Sequence, residues 1–147
     1  MGKIAKFGLL FLLILCLIGV RVFLEPFLYD PLIDYFKSDY LHKPIPDLNW
    51  SLYMLNLSFR FFINTIISLS ILYVIFNKKS VIRFSSKVYV ITFLILMILF
   101  FLVIKYQLIN GYLVIFYLRR FLIHPIILLL LIPAFYYQRL AFKSNDN

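Results

Sequence analysis

The stretch Tyr117–Gln138 reads YLRRFLIHPIILLLLIPAFYYQ, and from Phe121 to Tyr137 it carries no Asp, Glu, Lys or Arg. At about 1.5 Å of rise per residue, a run of this length crosses, or nearly crosses, a hydrocarbon layer of roughly 30 Å. Three further apolar runs have similar length: Phe7–Leu24 and Leu57–Phe76, interrupted by Arg21 and Arg60, and Val88–Ile104. Helices are the expected form. Lipid offers the backbone no hydrogen-bond partner, and these runs are continuous where barrel strands would alternate in short segments.

Composition agrees with that reading. The chain of 147 residues is 64% hydrophobic and 20% aromatic, with 14% charged, and its mean hydropathy is +0.98. These values place it among integral membrane proteins and exclude an ordinary soluble domain. The predicted fold is an all-α membrane protein. It is one integral membrane domain over residues 1–147 with four transmembrane helices, at 7–24, 57–76, 88–104 and 117–137. An external loop over 25–56, too short for a separate globular domain, carries a short interfacial helix.

Basic residues orient the chain. Lys3, Lys6, Lys78, Lys79, Arg83, Lys87, Arg139 and Lys143 fall on one side, against Lys37, Lys43 and Lys105 on the other. By the positive-inside rule both termini are expected in the cytoplasm. Lys3 and Lys6 before an apolar run resemble the start of a signal peptide, but no small-x-small cleavage site follows, so a retained anchor is expected. Leu15 stands where a lipoprotein box would need a small residue. Cys16 then reads as a small apolar filler. With the net charge of +9 spent on orientation, no nucleic-acid partner is implied.

In the external loop, EPFLYDPLIDYF over Glu25–Phe36 reads as the interfacial helix. Asp30 is placed to cap it, Pro31 suits the first helical position, and Phe27, Leu32, Tyr35 and Phe36 are expected among lipid headgroups. The second loop, NKKSVIRFSSK over Asn77–Lys87, reads as a short cytoplasmic connection. Helix three, apolar apart from Thr92, reads as a wall facing lipid. Pro125 and Pro133 are expected to bend helix four twice, because each removes a backbone donor.

Polar residues inside the apolar runs carry the functional argument. Helix two repeats Asn56, Arg60, Asn64 and Ser68 every fourth residue, a stripe on one face. Such a stripe can glue helices together, but an arginine within the membrane costs at least about 3 kcal/mol unless paired or wet. Arg21, Arg60, Arg119 and Arg120, with Asn56, Asn64 and His124, are expected to meet at the same depth, toward the outer face, as a site for a protein partner or an anion. Arginine's planar fork suits a carboxylate or phosphate. Glu25, Asp30 and Asp34 are the candidate charge partners, and four arginines against three acids leave a surplus of positive charge. Neither a catalytic group nor a metal-ligand cluster is expected: Cys16 lies in an apolar setting that keeps a thiol inert, and no cofactor is implied. The rival reading is a small transporter or channel component with the stripe of helix two lining a path. Apolar cytoplasmic halves in helices three and four weigh against it.

Three segments in this order, RVFLEPFLYDPLIDYF, RFFINTIISLSILYVIF and FYLRRFLIHPIILLLLIPAFYYQ, give the chain a resemblance over most of its length. It resembles the small exosortase F system-associated membrane proteins of Bacteroidetes. The resemblance implies a multi-pass protein of the bacterial cytoplasmic (inner) membrane. It also implies an accessory role beside a peptidase that processes C-terminal sorting signals. The implied partner is the exosortase or its substrate; the residues themselves add anionic lipid as a further candidate and lead to the expectation of no enzymatic activity.

Overall fold

The computed structural model describes residues 2–24, 26–28, 30–38, 42, 47, 49–106 and 111–145, with the side chains of 111, 112 and 142–145 left out of the description. Every regular element among them is helical: α1 (Lys3–Leu24), α2 (Leu32–Lys37), α3 (Trp50–Phe76), α4 (Lys79–Tyr106), α5 (Gly111–Ile123) and α6 (Ile126–Asn145). Helices α1, α3 and α4 are each long and apolar enough to cross a membrane. Helices α5 and α6 pass the same test together, as a pair bent by 61°. Among the described residues there are therefore three such spans, or four when the bent pair is one.

Helix α3 is the axis of the bundle. Its buried residues, among them Tyr53, Leu57, Phe61, Ile71 and Leu72, meet Phe100 and Val103 of α4, Leu118 and Leu122 of α5, and Leu128 and Leu131 of α6. Aromatic rings fix the α3 and α4 faces: Tyr53 stacks on Phe100 at 5.8 Å between centroids, and Phe61 packs on Phe93 at 4.9 Å. In lipid, where apolar burial gives no net drive between helices, such dense contact is what holds the faces together. Helix α1 stands apart. None of its residues is buried, and it packs chiefly on α3.

The α1–α3 register follows from one contact. The Lys6 ammonium donates to the Ile75 carbonyl at 3.0 Å, in the last turn of α3, where a cation and an unfilled carbonyl satisfy each other. The two helices are antiparallel, so fifteen residues along each from this contact lie Arg21 and Arg60. Both are then about 22 Å from it, at one level. The turn between α3 and α4 and the second half of α6 flank one cleft, lined by Phe76, Lys78, Val81, Phe135 and Arg139. The beginning of α1 and the end of α6 therefore occupy the same end of the molecule.

Several boundaries differ from the sequence reading. Helix α3 begins seven residues early, at Trp50, because Asn49 caps it by accepting a hydrogen bond from the Leu52 amide at 3.2 Å. The expected second loop is mostly helix. Asn77 takes the left-handed conformation (φ 50°), which ends α3, and α4 starts at Lys79. Helix α4 is not simply a lipid-facing wall either, since Ser85, Tyr89, Phe100 and Val103 are buried. Pro125 does break helix four, while Pro133 lies inside an uninterrupted α6.

Helix α2 buries one face against the bundle and leaves Asp34 and Lys37 exposed on the other. Leu32 is fully buried and Tyr35 nearly so, and Phe36 meets Phe116 of α5 edge-on at 5.3 Å. Phe27 alone of the four expected headgroup residues is fully outside, at 83% exposure. Asp30 does not cap α2 with its side chain. Pro31 occupies the cap position without a side-chain bond, and the Asp30 carboxylate is used elsewhere.

Candidate functional site

The Asp30 carboxylate is clamped between two arginines from two helices. Its Oδ2 accepts from Arg60 Nη1 of α3 at 3.0 Å and from Arg119 Nη2 of α5 at close range. The three side chains are 4%, 7% and 15% exposed, respectively. Two guanidinium charges on one carboxylate leave the cluster at +1. At an effective dielectric near 20 each close pair contributes roughly 4 kcal/mol before desolvation is subtracted, enough to offset the roughly 3 kcal/mol insertion cost of a buried arginine. The Tyr53 hydroxyl completes the cluster. It lies beside Asp30 and Arg119 without meeting hydrogen-bond geometry.

The clamp is incompletely satisfied. Asp30 Oδ1, Arg60 Nη2 and Arg119 Nε are buried and without hydrogen-bond partners among the described residues, as are the hydroxyls of Tyr53 and Ser85, while the hydroxyls of Ser68 and Tyr89 face each other. Buried polar atoms in folded proteins nearly always have a partner, protein or water. These residues fall into two groups: Asp30, Tyr53, Arg60 and Arg119 at the clamp, and Ser68 of α3 with Tyr89 and Ser85 of α4 further along the bundle. Ser58, Thr65 and Ser70 are different: each bonds back to the carbonyl four residues earlier and is satisfied within its own helix.

Asn64 serves the break at Pro125. With the turn interrupted, the last carbonyls of α5 lose their helical partners. The amide of buried Asn64 donates to the Ile123 carbonyl, so a side chain of α3 caps the end of α5. The amide of Ile126 turns back to the His124 carbonyl at 2.8 Å, and α6 leaves at its new angle. The donor that Pro125 lacks would have met the Phe121 carbonyl; the atom that Asn64 reaches lies two residues on.

Beside the clamp is a cavity of about 190 Å³, lined by Leu17, Ile18, Val20 and Arg21 of α1, Arg60 and Asn64 of α3, and Ile123, His124 and Pro125 at the break. It brings together four of the seven residues expected at the site: Arg21, Arg60, Asn64 and His124. Arg119 joins through Asp30. Arg120 does not join, because adjacent residues on a helix point about 100° apart. With Arg119 turned inward, Arg120 is exposed. Asn56 does not join either, its amide being used on the Leu52 carbonyl of its own helix. Of the expected acids, Asp34 is exposed and no ion pair to it is found among the described residues, while Glu25 lies outside them.

Sequence reasoning missed Tyr53, Ser85 and Tyr89. Tyr53 was findable, since extending the stripe of helix two outward reaches Tyr53, Leu57, Arg60 and Asn64, one face of a single helix. Ser85 and Tyr89 had no such signal, because they were assigned to a loop or an unbroken apolar run. Among the described residues there is no cluster of three or more His, Cys, Asp or Glu that could hold a metal ion, and Cys16 is exposed on α1. Comparison of the chain with protein-family models, with curated proteins and with solved structures finds no match.

Proposed function

We propose that this protein is a non-catalytic accessory subunit of an exosortase-type sorting system in the bacterial inner membrane, with both termini in the cytoplasm. Its arginine-rich centre would meet a protein partner or an anionic group near the outer face. The observation that supports this reading is the imbalance at the clamp. Asp30 neutralises one of the two arginines it holds, and exposed Arg21 stands across the cavity from Arg60, adding a further positive charge. An unbalanced cation at this depth is costly unless an anion or a partner shares it. The resemblance to exosortase F system-associated proteins supplies the candidate partner.

The test uses the arginines that the fold does not need. Arg21→Gln and Arg120→Gln are introduced singly, and photo-crosslinking to the neighbouring exosortase is followed in native membranes. Reduced capture for Arg21→Gln, with substrate sorting impaired in step, is the expected result; full capture with normal sorting rejects the partner site.

One observation favours the rival reading of a small transporter or channel component. A helix broken near polar side chains is how many transporters build a binding site inside the membrane. Here the break at Pro125 shares a cavity with Arg60 and Asn64 of the helix-two stripe. Solute or ion flux through liposomes containing the purified protein tests this directly. Flux above empty liposomes that Ser68→Leu abolishes would select transport over the accessory role.

A further inference from the structure

The cavity beside the clamp has the chemistry of a headgroup site. Its polar end is cationic. Arg21 comes from α1, while Arg60 is 94% buried with Nη2 unpaired among the described residues; both belong to its lining. Pro125, also in the lining, immediately precedes α6, so the amide-rich, partially positive end of a 20-residue helix adjoins the same space. Its other end is hydrocarbon: Leu17, Ile18, Val20 and Ile123. The α1 wall is thin, since no residue of α1 is buried and Ile18 and Val22 are more than half exposed. A ligand can thus enter sideways from the bilayer. At roughly 30 Å³ per water, 190 Å³ holds about six waters, room for a phosphate and part of a glycerol but not for acyl chains.

We propose that this cavity binds the phosphate of an anionic phospholipid, drawn in from the membrane between α1 and the α5–α6 break, with its acyl chains lying outside along α1. The inference rests on the reading of the arginine centre as an anion site and names the anion. The level of Arg21 and Arg60, about 22 Å along the helices from the Lys6–Ile75 contact, lies inside a hydrocarbon layer of roughly 30 Å. A phosphate carried on acyl chains reaches that level from the side, whereas a free phosphate would have to cross lipid. Arg21 and the Nη2 of Arg60 supply charge-assisted hydrogen bonds to phosphate oxygens, and the helix end adds its dipole.

The experiment uses the purified full-length chain in nanodiscs of phosphatidylglycerol and phosphatidylcholine in equal parts, followed by mild extraction and native mass spectrometry of the lipid retained. One phosphatidylglycerol per chain is expected, about tenfold over phosphatidylcholine, because the two share the phosphate oxygens but the choline cation of the second is repelled by the arginines. Arg21→Gln should bring the ratio close to parity. Ile18→Trp, which fills the cavity without changing charge, should remove the retained lipid, with circular dichroism and melting of both variants matching the parent. Equal retention of the two lipids overturns the proposal. So does a preference that survives both substitutions, which would put the lipid on the basic end near Lys78 and Arg139. Displacement of the lipid by millimolar inorganic phosphate overturns the lipid as the source and leaves a free oxyanion. The same Arg21→Gln protein separates this from the proposed function: parity of lipids with Arg21-dependent partner capture overturns the lipid alone, and selective lipid with unaffected capture overturns the partner.

Discussion

Asp30 is the residue on which the centre turns. Removing one partner of a buried ion pair strands the others, at a cost of about 3–5 kcal/mol. Asp30→Asn is therefore expected to destabilise the bundle by about that amount in a denaturation titration, because two guanidinium groups then face each other without a carboxylate. Replacing all three together, Asp30→Leu with Arg60→Met and Arg119→Met, should recover most of the loss, since an apolar core of similar volume often matches a buried ion cluster. Recovery of stability without recovery of partner capture would show that the clamp is kept for function. Failure to recover would mark it as structural. Cys16 offers the contrast: exposed on α1 with no role in the packing, Cys16→Ala should shift stability by no more than about 0.5 kcal/mol.

At the scale of the element, the break in the last span matters most. Two prolines eight residues apart look equivalent in sequence, yet the chain breaks at Pro125 and passes Pro133 without interruption. The difference lies outside the helix, because Asn64 reaches across from α3 to occupy the Ile123 carbonyl, and no such cap is found at Pro133 among the described residues. Asn64→Leu leaves that carbonyl buried and unpaired, which should cost about 1–3 kcal/mol. Pro125→Ala should straighten the α5–α6 pair, read as a longer distance between spin labels near Leu113 and Ala141, while Pro133→Ala should leave that distance unchanged. A bend that persists in Pro125→Ala would mean that packing alone sets the angle.

At the scale of the whole molecule, the Lys6–Ile75 contact and the cleft between the α3–α4 turn and α6 bring the chain's beginning and end to one end of the bundle. The basic residues of that end then favour the cytoplasmic side. Cysteine substitutions at Ser80 and Ser51, made in the Cys16→Ala background, are expected to be labelled from opposite sides of sealed vesicles. Labelling of both from the same side would reject the arrangement. Four apolar runs, the arginines within them and the kink at His124-Pro125 were all legible without coordinates, because each depends on local composition or on a single residue's chemistry. The reach of α3 to Trp50 and of α4 back to Lys79 was not. Polar residues end a hydropathy run but need not end a helix, whose backbone bonds continue wherever the dihedrals allow.

By itself the sequence determined that this chain lies in a membrane as apolar helices, that arginines interrupt them, and that proline breaks the last one. Those properties follow from transfer energies and from the missing amide of proline, which act residue by residue. Only the tertiary structure decided that Asp30, of the three candidate acids, receives both Arg60 and Arg119, that Arg120 turns away, and that a cavity lies between Arg21 and Arg60. Sequence spacing sets which residues share a face of one helix; which faces of separate helices meet depends on packing contacts between distant parts of the chain.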